Sequence, residues 1–196
     1  MSNIKGEIIA TAARLVVQEG LEYAAAKRRA LRELGLPART PLPGNGEIEN
    51  EVRTYIDLYC ADTQPIQLRA LRELALEWMQ RMAAFRPYIG GAVWHGTATH
   101  LSDIYIQLFC DDPKSAEIAL IDHHVNYEPR TVMGLHGDPV EALSVHVPCR
   151  TLNIDVGVHL LTYDLDDLRG ALKPDIHGRA PRGDWAALRR LLENGS

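Results

Sequence analysis

"YIGGAVWHGTATHLSDIYIQLF", residues 88–109, decides how the chain is read. Its second half alternates. Ser102, Ile104, Ile106 and Leu108 point one way, and Leu101, Asp103, Tyr105, Gln107 and Phe109 the other, which is the period of a β-strand. Gly90, Gly91 and Gly96 precede the alternation, and glycine backbone can turn sharply or approach a bound group closely. The stretch therefore predicts a glycine turn leading into a strand that carries an aspartate on one face.

Upstream, Leu68, Leu71, Ala75, Trp78, Met82 and Phe85 step by three and four residues, which predicts an amphipathic helix closed by Pro87. Three more helices are expected before it. The first runs through Ile4, Ile8, Ala12, Leu15 and Val16 to Gly20, and the second through Tyr23, Ala26, Ala30, Leu31 and Leu34 to Gly35 and Pro37. The third is capped by Asn45, has Glu47, Glu49 and Glu51 in its first turn, and buries Ile48, Val52, Tyr55, Ile56 and Tyr59.

Downstream, "ALSVHV" (142–147) and "IDVGVHLLTY" (154–163) read as strands, and "PKSAEIALID" (113–122) as either helix or strand. "HHVNYEPRTVMGLHGD" (123–138) reads as a long polar loop able to lie over a site. "DLDDLRGALK" (164–173) and "DWAALRRLLEN" (184–194) read as short helices, the latter capped by Asp184. Helices first and a mixed sheet with helices afterwards make an α+β chain, with a helical region over 1–65 and an α+β domain over 66–196.

Composition narrows the function classes. The chain is 46% hydrophobic and 24% charged with a net charge of −5, which argues against a surface that coats nucleic acid. The first forty residues are nonetheless basic, through Lys5, Arg14, Lys27, Arg28, Arg29, Arg32 and Arg39. Cys60, Cys110 and Cys149 form no CxxC pair and suit small core positions. No apolar run reaches the roughly 20 residues of a membrane span. A cytoplasmic location is the expectation.

With Ile89-Gly90-Gly91 followed by "SDIYIQL", the segment 66–165 resembles the nucleotidyltransferase superfamily, the fold of DNA polymerase beta-like enzymes, in a divergent bacterial form. Members show a hydrophobic residue and a glycine pair or Gly-Ser, then a strand with carboxylates at i and i+2. Asp103 stands in the first carboxylate position and Tyr105 in the second, so the motif is incomplete. The resemblance implies a nucleoside triphosphate held at Gly90, Gly91 and Gly96, with Ser102, Thr97 and His95 on its phosphates. It also implies transfer of a nucleotidyl group to a hydroxyl acceptor.

Two strand residues at i and i+2 share a face, so paired carboxylates can hold divalent metal between them. The family's third acid comes from a neighbouring strand. "NIDVGVHLL" places Asp155, Gly157 and His159 on one face there, and Glu117 is a further candidate. If the register centres on His159, the third acid is absent. If Asp155 faces Asp103, those two acids would share Mg²⁺ and carry the catalysis.

Tyr105 cannot ligate magnesium at neutral pH, because a phenol of pKa about 10 keeps its proton. A second expectation therefore stands beside the enzyme: a catalytically inactive module of the same fold that binds protein or nucleic acid. For nucleic acid, Lys27, Arg28, Arg29 and Arg32 on the N-terminal helices would neutralise phosphates. Near the end, "RGALKPDIHGRAPRG" carries Arg169, Lys173, Arg179 and Arg182, which form either a basic flap over a site or a solvated loop. The eight histidines match no HExxH or CxxC…HxxxH spacing, which leaves a histidine-based metal hydrolase as a weaker third expectation, and no GxSxG elbow is present, so serine-nucleophile chemistry is not indicated.

Overall fold

The computed structural model describes residues 4–175 and 178–195. It divides into two units, Met1–Ile66 and Gln67–Ser196. The fold is α+β.

The first unit holds α1 (Ile4–Glu19), α2 (Tyr23–Glu33) and α3 (Asn45–Tyr59). Ile8, Ala12, Leu15, Ala26, Leu31, Ile48, Val52 and Ile56 form its core. Two local readings change. Gly44, not Asn45, is the N-cap of α3, and Glu47 accepts its backbone N–H at 3.0 Å. Asn45 instead accepts Lys27 Nζ at 2.8 Å. Tyr59, the last residue of the helix, is 71% exposed and lies outside the buried stripe, with its ring against Tyr55. Three of the seven basic residues in the first forty are paired within the unit: Arg14 with Glu33, Arg29 with Glu19 and Glu33, and Lys5 with Glu47. Exposed pairs of this kind stabilise by only about 0–1 kcal/mol each, but they cancel charge that a nucleic acid would need.

In the second unit α4 (Gln64–Arg81, beginning just before the boundary) buries Leu68, Leu71, Ala75, Trp78 and Met79. The helix stops before Pro87, a 3₁₀ turn covers Ala83–Phe85, and Arg86 adopts φ 46° before Pro87 opens a strand. Five strands follow: β1 (Pro87–Ile89), β2 (Ile104–Cys110), β3 (Glu128–Met133), β4 (Pro139–Cys149) and β5 (Ile154–Asp164). They lie in the order β1-β2-β5-β4-β3, with β2 and β5 parallel and the other neighbours antiparallel. A parallel pair needs a long crossover, and α6 (Lys114–Asp122) with the β3–β4 hairpin supplies it. "PKSAEIALID" is thus helical, and the expected 123–138 loop is in large part strand.

Alternation along β2 separates two faces. Ile104, Ile106 and Leu108 join Val156, Val158, Leu160, Leu143 and Val145 against α4, α6 and the helix α8 (Trp185–Glu193). Phe109, Leu161, Tyr163 and Ala142 turn to the opposite face, where α7 (Asp167–Ala171) covers one end. Asp103 belongs to this second face, at its other end. Burying a leucine, isoleucine or valine contributes about 1.5–3 kcal/mol, so the helix-covered face dominates stability and leaves the second face free to carry polar groups. Asp184 Oδ1 accepts Ala187 N–H at 2.8 Å and caps α8. No helix among the described residues is long and apolar enough to cross a membrane.

Candidate functional site

Asp103 lies one residue before β2, where the parallel register with β5 sets its neighbours. Tyr105 pairs with His159 and Ile104 with Val158, so the residue beside Asp103 is Gly157. The carboxylate leans across onto β5. Its Oδ1 accepts the Gly157 N–H at 3.2 Å, and its Oδ2 accepts His159 Nε2–H at 3.0 Å. Gly157 has to be glycine for this approach, because a Cβ there would stand 2.8 Å from the carboxylate carbon.

His159 is 4% exposed, and its other ring nitrogen, Nδ1, lies 2.8 Å from Ser144 Oγ on β4, its register partner. An ionised carboxylate only accepts, so Nε2 carries a proton and a neutral ring takes the Ser144 hydroxyl proton at Nδ1. Serine, histidine and aspartate thus form one directed chain ending at Asp103. Tyr105 lies against the same ring, tilted by 33°, with the centroids 4.8 Å apart.

The chain resembles a hydrolase triad in composition and differs from it in exposure. Ser144 is 1% exposed, whereas the Asp103 side chain is 46% exposed. A nucleophile must meet its substrate, and here the serine is the sealed end. What the arrangement does is fix an accessible carboxylate in its ionised form. The hydrogen bond from His159 lowers the Asp103 pKa against an opposing effect of burial, and the Gly157 N–H adds to the lowering.

A lowered carboxylate pKa stabilises the fold above the unfolded value of about 4 and loses that contribution as pH falls through the folded value. Asp103→Asn, which keeps the shape, is therefore expected to flatten the acid limb below roughly pH 4. Thermal unfolding of both proteins between about pH 2 and pH 6 checks this, and parallel curves would remove the assignment.

Asp155 stands on the same face of β5, exposed and two residues before Gly157, with Pro148 as its register partner. The bonded partners of Asp103 are His159 and Gly157, not Asp155. Glu117 lies on α6 and takes hydrogen bonds from Tyr127 and Lys114. Among the described residues no three acidic, histidine or cysteine side chains gather as a metal-binding group. The donor set around Asp103 does not fit a magnesium pair: its second position is a phenol, its cross-strand neighbour is an imidazole with both nitrogens engaged, and magnesium takes oxygen ligands in near-octahedral order.

The glycine segment is partly committed. Gly90 N–H bonds Tyr105 O at 3.3 Å, and the space beyond its Cα is taken by the Gln107 amide at 3.3 Å. Gly91 has φ 65° and opens the short helix α5 (Gly91–His95), and Gly96 ends that helix at φ 85°. Gly96 and Thr97 both donate to Ala92 O at 2.9 Å. Thr97 is 4% exposed, Ser102 Oγ accepts the Thr99 N–H at 3.0 Å, and His95 is half-buried at the end of α5. Two of the three glycine N–H groups expected to cradle phosphate thus already serve internal acceptors, whereas the buried Thr97 Oγ1 has no hydrogen-bond partner among the described residues.

No family model, no curated protein and no solved structure matches this chain. The site rests on its own geometry. A cavity of about 400 Å³ lined by Arg86, Tyr88 and Trp185 and one of about 280 Å³ lined by Trp78, Arg81 and His123 leave Asp103 untouched. Sequence reasoning placed His159 and Gly157 on one face with Asp155 and had no role for Ser144. A polar residue flanked by Leu143 and Val145 was the available signal, since a serine in such a strand usually answers a buried partner.

Proposed function

We propose that this chain is a nucleotidyltransferase-like module that binds a partner protein through its Asp103 face and does not carry out metal-dependent nucleotidyl transfer. The succession α4, β1, glycine turn, β2, α6 and β5 supports the resemblance in element order. The observation that carries the reading is that each Asp103 oxygen already accepts one hydrogen bond, from Gly157 and His159, with a tyrosine where a second metal ligand would be needed.

The exposed groups on that end are Asp103, Asp155 and His146, the last paired in register with Gly157 and lowering the Asp103 pKa through its charge. A face with two exposed carboxylates, one of them fixed, suits a lysine or arginine side chain and repels an unaccompanied triphosphate. The net charge of −5 and the exposed carboxylates on this face favour a protein over a nucleic acid as the partner.

Two measurements test this. Incubation with each common nucleoside triphosphate and Mg²⁺ or Mn²⁺ is expected to release no pyrophosphate above background. A short lysine-rich peptide is expected to bind at low salt, about tenfold more weakly to Asp103→Asn, a difference of about 1.4 kcal/mol. Metal-dependent pyrophosphate release that Asp103→Asn abolishes would restore the transferase and its magnesium.

A further inference from the structure

Beyond the Asp103 end, the same face of the sheet holds two buried polar atoms that nothing satisfies. Gln107 is 7% exposed, and its Oε1 is buried without a hydrogen-bond partner. Arg182 is half-buried, and its Nε is likewise buried and unpartnered.

Register brings the two together. Ile89 and Gly183 form an antiparallel bridge with both backbone hydrogen bonds made, at 2.8 and 3.0 Å. Arg182 therefore lies beside Gly90. Ile89 packs on the helix-covered face, so alternation turns Gly90 and Arg182 to the other one. That is the face of Gln107, whose amide fills the space beyond Gly90. Arg182 also interacts electrostatically with Tyr163, a second residue of that face. The strap is held from its other side, where Trp94 donates to Ala180 O at 2.8 Å and its ring lies where a Gly183 Cβ would be.

A guanidinium nitrogen buried without an acceptor is costly, no ion pair is formed by Arg182 among the described residues, and burial pulls its pKa below the ordinary value. An anion between strap and sheet would remove that cost. Gln107 can contribute, because a half-turn of its terminal amide exchanges oxygen and NH₂ without moving the stem and presents a donor.

We propose that Arg182 and Gln107 form a subsite for an oxyanion, the carboxylate or phosphate group of a small ligand, between the 180–183 strap and the sheet. Guanidinium and amide donors on one face match the paired oxygens of either group. This subsite is independent of the peptide-binding reading of Asp103 and does not need it.

The test uses thermal unfolding and calorimetric titration with inorganic phosphate and with acetate as separate arms. Saturable binding of either ion supports the subsite, and the arm that responds identifies the group. A melting temperature higher by about 5 °C or more is expected at a hundredfold excess over Kd. The response is expected to disappear in Arg182→Gln and to persist in Asp103→Asn.

Gln107→Glu supplies a built-in carboxylate. It is expected to raise the melting temperature with no added ion and to abolish the response to one. If neither ion binds saturably, or the shift is the same in Arg182→Gln, the subsite does not exist. A lower melting temperature for Gln107→Glu would also overturn it, because the new carboxylate would then have met no cation.

Discussion

A His159→Ala protein is expected to unfold about 10 °C below the parent, a loss of roughly 3–4 kcal/mol. The magnitude combines two effects. Removing the ring opens a cavity between β2 and β4, and truncating a large buried side chain costs about 2–5 kcal/mol depending on how far the site collapses. It also strands the Ser144 hydroxyl, which is 1% exposed and has the ring as its hydrogen-bond partner. A buried hydroxyl left unpaired costs about 1–3 kcal/mol.

Asp103 suffers less in that variant, because half of it reaches water and its Gly157 bond survives. His159→Gln separates the contributions, since an amide can still donate towards Asp103 while filling part of the space. It should recover some of the loss and restore part of the depression of the Asp103 pKa. A His159→Ala protein that melts with the parent would mean that the buried chain does not organise this face.

The second large effect is expected at Gly183. A Cβ there would lie 2.2 Å from the Trp94 ring, too close for any adjustment short of moving the indole or the strap. Gly183→Ala is accordingly expected to cost about 3 kcal/mol, at the upper end for overpacking, because either movement breaks something. Moving the indole gives up its bond to Ala180 O, and moving the strap gives up the bridge to Ile89. Denaturant unfolding measures the loss, and Trp94→Leu in the same background should recover much of it by clearing the space. Equal losses in the single and double variants would place the strain elsewhere.

How much of this was legible in the sequence depended on the length and burial of each element. The α4 stripe repeats over five turns of helix and could be read directly, as could the alternation that puts Asp103, Tyr105 and Gln107 on one face. By contrast β1 has three residues and α5 five, too few for any period to declare itself. β3 escaped for another reason: Glu128, Pro129, Arg130, Thr131 and Met133 are all exposed, so an edge strand carries no apolar alternation and reads as a loop.

The site divided along the same line. Asp103 stood out by its setting in a strand. The identity of its partners depended on register between strands, and only the fold shows that Tyr105 pairs with His159 and His159 with Ser144. The glycine pair was noticed for its bare backbone. Its actual employment, making room for Gln107 at Gly90 and a left-handed turn at Gly91, required knowing what packs beside it.

The bridge between Ile89 and Gly183 has one more consequence, for how another molecule can dock. Strand addition needs a free margin with unspent amide and carbonyl groups. On one flank of this sheet the returning chain already occupies the margin at Ile89. On the other, β3 presents Glu128, Pro129 and Arg130, where the proline ring interrupts the ladder and the charges resist stacking. A visitor is thereby steered away from zipping onto the rim and has to read side chains from above.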